Sequence, residues 1–150
     1  MMTEIRIEND MRQHVVEWLT SLGMECAHES MVTACGYCDV IGFEFGAQET
    51  RRIPRLNRVV SVELKMRDVT RVISQAEGNQ PASTRSYAAM PQEFCDRMKT
   101  PTCQRFQDAG IGLLGVGHRC RIMIPAKWNS QADIQANQKK WWRWHKKQEK

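Results

Sequence analysis

Met11, Val15, Trp18, Leu19 and Leu22 recur at the spacing of one helical face. The first patterned stretch is therefore an amphipathic helix, with Asn9 or Asp10 able to cap its start and Gly23 able to end it. From Met24 to Thr33 the pattern weakens and reads as a short strand. Val40-Ile41-Gly42-Phe43-Glu44-Phe45 predicts a second strand, and Val59-Val60-Ser61-Val62-Glu63-Leu64-Lys65-Met66 a third. A polar, basic loop from Gly46 to Asn57 joins them, and Pro54 argues against regular structure inside it. Asp68 can cap a helix through Val69, Val72, Ile73 and Ala76, which breaks at Gly78-Asn79-Gln80-Pro81. Tyr87-Ala88-Ala89-Met90 suits a buried strand end ahead of Pro91. The next helix is interrupted near Thr100-Pro101, where Thr as N-cap and Pro at N1 restart it, and Gly110 stops it. Ile111 to Val116 reads as a buried strand that Arg121 to Ile124 can join as a hairpin. From about Ser130 the tail predicts a helix ending in Trp141-Trp142-Arg143-Trp144.

This order predicts an α/β fold: a mixed central sheet with an αβββαβ core and helices on both faces. A length of 150 residues with 41% hydrophobic content supports one core. We expect a domain over 1–128, with the basic, Trp-rich helix 129–150 either part of it or appended as a nucleic-acid contact. The N-terminus lacks a basic stretch leading into an apolar one, so no secretory signal is expected. No apolar run approaches a membrane span, so no membrane partner is expected. Six cysteines without a secretory signal read as reduced thiols of a cytoplasmic protein. A formal net charge of +5 and a pI near 9.0 favour a polyanionic partner.

The sharpest chemical feature is Glu63-Leu64-Lys65. On a strand, Val60, Val62, Leu64 and Met66 share one face, and Ser61, Glu63 and Lys65 the other. Taken alone, this is an edge strand with one wet face and an ordinary ion pair. Asp39, at the start of the preceding strand, changes the picture, because pairing of the two strands brings two carboxylates to one end of the sheet. Two hard oxygen donors on neighbouring strands suit Mg²⁺ (or Mn²⁺), and a lysine beside them can orient a water and offset developing charge.

Cys38-Asp39-Val40-Ile41, Val60 through Lys65, the helix carrying Gln75, Ser86-Tyr87-Ala88-Ala89-Met90-Pro91 and Gly110 through Leu114 together resemble the PD-(D/E)xK nuclease superfamily, the restriction-endonuclease-like fold. The likeness runs from about Glu8 to Val116. Cys38 departs from the small or proline residue common before the aspartate. The resemblance implies a Mg²⁺-dependent DNA endonuclease working in repair, recombination or phage and host DNA processing. It implies Asp39, Glu63 and the Leu64 backbone carbonyl as metal ligands. Lys65 and Gln75 complete the implied catalytic set, and Tyr87 stands as a support. Many relatives add a glutamate from the first helix, for which Glu17 is the candidate; Glu29, on the possible first strand, is a second candidate to complete the site.

Other residues compete for a role. Arg51, Arg52, Arg55 and Arg58 crowd the hairpin between the two acidic strands, either as a solvated loop or as phosphate contacts beside the site. Lys139, Lys140, Trp141, Trp142, Arg143 and Trp144 either pack on the core or contact nucleic acid, rings stacking on bases while cations hold phosphates. Cys26, His28, Cys35 and Cys38 form C-x-H-x6-C-x2-C, but a second C-x2-C is missing, so the spacing does not favour zinc. His118-Arg119-Cys120 is weaker still. Two other readings stay open: a non-catalytic DNA- or partner-binding module on the same fold, and an unrelated α/β fold in which E-x-K is a surface ion pair. A homodimer is compatible with all of these.

Overall fold

The structure is a computed structural model that describes the backbone of residues 4–33 and 36–149, and their side chains except at 29–33 and 36. Helix α1 (Asn9–Ser21) leads into three antiparallel strands, β1 (Glu25–Thr33), β2 (Gly36–Phe45) and β3 (Leu56–Leu64). Helix α2 (Val69–Asn79) and a 3-10 turn (Gln80–Ala82) cross over to β4 (Arg85–Pro91), parallel to β3. Helices α3 (Gln92–Asp96) and α4 (Thr100–Ala109) cross to β5 (Gly112–Val116), parallel to β4. Strand β6 (Cys120–Ile124) returns antiparallel, and α5 (Gln138–Gln148) closes the chain. The sheet has six strands in the order β1-β2-β3-β4-β5-β6. The fold class expected from the pattern is therefore the one observed.

Several predicted signals act as expected. The Asp68 side chain accepts from the Arg71 N–H and caps α2, and Gly110 ends α4 at a left-handed φ of 72° that costs glycine little. Others differ. Neither Asn9 nor Asp10 caps α1 from the N-cap position; Asp10 Oδ2 reaches back to the N–H groups of Arg6 and Ile7, at 2.8 and 3.0 Å. Helix α4 begins one residue earlier than the Thr-Pro signal suggests, with Lys99 as N-cap.

Three apolar clusters explain the layers. Met11, Val15 and Leu19 of α1 pack on Val40, Val60, Val62, Leu64 and Leu114, covering one face of the sheet. On the other face α2 and α4 bury Val72, Ile73, Ala76 and Phe106 against Ala88, Met90 and Leu113. Beside them, α5 buries Trp141 against Ile41, Phe43 and Val59. Between these two clusters runs a polar seam of Ser61, Glu63, Ser83, Ser86 and Asn79, all buried.

The tail is thus part of the core. Trp141 is 1% exposed and stacks on Phe43 with ring centroids 5.1 Å apart, while Trp144 meets Phe43 edge-on and Trp142 meets Phe45. Gln135 closes two hydrogen bonds with the Leu56 backbone at 2.9 and 2.7 Å. His145 Nδ1 lies 2.8 Å from Glu25 Oε1 on β1. Packing buries Trp141, while Trp142 and Trp144 stay half-buried beside it. No helix among the described residues is long and apolar enough to cross a membrane.

Candidate functional site

The Val40↔Val62 pairing of β2 with β3 puts Asp39 opposite Glu63, so both carboxyls rise from the same face. They come within hydrogen-bonding reach of each other. Asp39 Oδ2 also accepts from the Leu64 N–H at 2.8 Å, and Arg12 of α1 donates to the Asp39 carbonyl at 2.8 Å. The aspartate is therefore held from the strand beside it and from the helix beneath it.

Glu63 is 4% exposed. Burial, opposed by the Asn79 hydrogen bond and then reinforced by the neighbouring Asp39 charge, pushes its carboxyl up from 4.5 to about 7. Burial and the adjacent Asp39 charge together disfavour ionisation of Glu63, so its proton is held more tightly than that of an exposed glutamate. Asn79 Nδ2 donates to Glu63 Oε1 at 2.8 Å, and the seam fixes the end of the helix that carries Asn79. Ser83 Oγ donates to the Asn79 carbonyl at 2.7 Å and lies 3.0 Å from Ser61 Oγ. Ser86 Oγ donates to the Ala76 carbonyl at 2.6 Å.

Lys65 sits just past β3, where its N–H donates to the Ala89 carbonyl at 3.1 Å. Its ammonium pairs with Glu8 Oε1 at 3.6 Å. Gln75 lies one turn before Asn79 on the same side of α2. Its carboxamide oxygen is buried and meets no hydrogen-bond donor among the described residues. An orphaned buried oxygen costs about 1–3 kcal/mol. The two carboxyls are hard oxygen donors, which suits Mg²⁺ or Mn²⁺.

The fold unites Asp39, Glu63 and Lys65 and puts Gln75 on the helix that meets Glu63. Other expected residues lie elsewhere. Tyr87 is no neighbour of the acidic pair: register with Val62 turns it to the α1 face, where it meets Trp18 edge-on at 5.5 Å. Gly112 leaves room for its ring, since a Cβ there would lie 2.4 Å from it. Glu17 is exposed and hydrogen-bonds to Gln13. It stands nine residues past Glu8, about 13 Å along the helix axis. The Glu29 backbone passes between the pairs His28↔Val40 and Ser30↔Cys38, but its side chain is outside the described residues.

The arginine loop is also displaced. Phe45↔Leu56 closes the hairpin at the end opposite Asp39, about 20 Å away along the strand. Arg51, Arg52 and Arg55 are exposed there, and Arg58 is committed to Glu44 at 3.1 Å and to the Leu22 carbonyl. They do not flank the carboxylates. On α5, Lys139 and Arg143 are exposed and Lys140 lies over the Trp141 ring. Among the zinc candidates, Cys26 packs with α1 and Cys38 with the Phe43 cluster. Burial pushes both thiols up, Cys26 to about 11. Cys35 is outside the described residues.

Two site neighbours escaped the sequence pattern. Glu8 precedes the α1 stripe, so helical periodicity gives it no place in the pattern. Asn79 reads in sequence as a helix breaker, although Gln75 and Asn79 form an i, i+4 amide pair on a helix side that Val72 and Ala76 otherwise make apolar.

No family model matches the chain, and no curated protein sequence is a significant match. In structure the chain is similar to SPO1766, a protein of unknown function from Silicibacter pomeroyi. The superposition has a TM-score of 0.66 and 14% identity, covering 98% of this chain and 90% of that one. At that identity the likeness shows a shared fold.

Proposed function

We propose that this chain is a Mg²⁺-dependent DNA endonuclease. The observation that supports it best is the meeting of Asp39 and Glu63 on adjacent strands, with Lys65 one residue beyond Leu64. Asp39, Glu63 and the Leu64 carbonyl would hold the metal, which when bound supplies charge to phosphate oxygens and acidifies water. The chain's own residues do the rest. Leu64 N–H and Arg12 hold Asp39 in place, and Asn79 holds Glu63. Lys65, balanced by Glu8, stands where it can orient water and offset charge developing on the phosphate. Glu63 must surrender its proton for the metal to bind, so metal affinity rises with pH through about 7.

The hydrogen bonds that hold the pair also support a second reading. Leu64 N–H holds Asp39 and Asn79 holds Glu63 through protein contacts alone, as a binding module with a dormant site would require. A cleavage panel of single-stranded, duplex and branched DNA, with and without Mg²⁺ or Mn²⁺, separates the two. For the nuclease, wild type cuts while Asp39→Ala and Lys65→Ala bind DNA without cutting. Unchanged cleavage by both variants overturns the assignment.

A further inference from the structure

Past the ends of β3 and β4 lies a groove of about 680 Å³, lined by Met66, Arg67, Phe94, Arg97, Met98 and Lys99. Met66 on its wall is the residue after Lys65, so the groove lies at the end of the strand that carries Glu63. Its three cations face one carboxylate, Glu93. Arg67, Arg97 and Lys99 are exposed and make no ion pair among the described residues. The first turn of α4 also lines the groove through Thr102, adding the positive end of a helix dipole. The neighbouring hollow of about 570 Å³ beyond Pro91 differs: there Arg119 and Arg121 face Glu4, Glu93 and Asp96. Anion attraction is thus concentrated in the first groove.

Met66, Phe94 and Met98 give that groove an apolar lining between its cations. Phosphate-binding charges interleaved with an aromatic ring suit a nucleic-acid strand whose bases are free to stack. The volume falls in the range of pockets that take a small organic ligand, room enough for a nucleotide. We infer that the groove seats an unpaired nucleotide of the DNA strand, with Arg67, Arg97 and Lys99 on its phosphates and Phe94 against its base. The inference rests on the DNA reading above and narrows its substrate to DNA with a single-stranded or splayed segment.

Fluorescence anisotropy with a labelled oligonucleotide, in EDTA so that cleavage plays no part, tests it. Arg97→Glu/Lys99→Glu and the neutral Arg97→Ala/Lys99→Ala should each weaken single-strand binding, the former at least tenfold. Each lost phosphate contact should lower the salt slope by about 0.7. Phe94→Leu should weaken single-strand binding several-fold without changing that slope. Arg51→Glu/Arg52→Glu, at the far end of the sheet, should change binding less than twofold. Equal losses from the far-end pair, duplex bound as tightly as single strand, or no DNA binding by wild type would each overturn the inference. Because no metal is present, a negative result leaves metal-dependent cleavage to its own test. Binding without cleavage would retire the nuclease and keep the groove.

Discussion

Replacing Glu63 by Gln should convert a pH-dependent protein into one whose stability is flatter between about pH 5 and 8. Glutamine keeps an oxygen for Asn79 Nδ2, now 2.8 Å from Glu63 Oε1, and offers Asp39 an N–H in place of the Glu63 proton. The charge alone is removed. In the folded chain the Glu63 carboxyl lies at about 7 against an ordinary 4.5. The native state therefore holds its proton where the unfolded chain has already released it, and stability falls as pH rises from 4.5 through 7. The full interval corresponds to about 3 kcal/mol at about 1.4 kcal/mol per pKa unit. Part of that interval lies below pH 5, so we expect about 2 kcal/mol of it between pH 5 and 8. Urea denaturation of wild type and Glu63→Gln at both pH values reads this directly. The stability gap between them should move by about 2 kcal/mol in favour of the glutamine variant at the higher pH. A gap constant to within about 0.5 kcal/mol would refute a buried Glu63 that holds its proton in the folded state.

Two structural predictions accompany it. Gly112→Ala places a Cβ 2.4 Å from the Tyr87 ring and 2.7 Å from the Ala126 backbone nitrogen. Backbone cannot swing aside, so we expect a loss of about 1–3 kcal/mol, read as a lower Tm with the sheet signal retained in circular dichroism. Trp141→Ala should cost about 3–5 kcal/mol by emptying the site under Phe43, while metal-free DNA affinity at a temperature where the variant stays folded should hold. A selective loss of DNA affinity instead would return the tail to the nucleic-acid surface.

Local chemistry carried much of this fold. Period-two alternation around Val60, Val62 and Leu64, the Asp68 cap, Gly110 and the Pro91 and Pro101 breaks act over a few residues, so their outcome is written in adjacent positions. The Asp39, Glu63 and Lys65 set was legible for the same reason, since strand order and alternation alone predict that the two carboxyls meet. Side chains whose role depends on distant partners were not. Whether Trp141 met a base or a core depended on Phe43, nearly a hundred positions earlier in the chain. Tyr87 left the site because parallel register with Val62, set by the crossover, turned it toward Trp18. The arginines of the β2–β3 loop shared a hairpin with the carboxylates but not an end of it. Asn79, Glu8 and the groove beside Met66 arise only where helix ends converge on strand ends. Sequence by itself determined the elements and the acidic pair, because those follow from local periodicity. Tertiary structure decided which charges surround that pair, because only packing brings separate elements to one edge of the sheet.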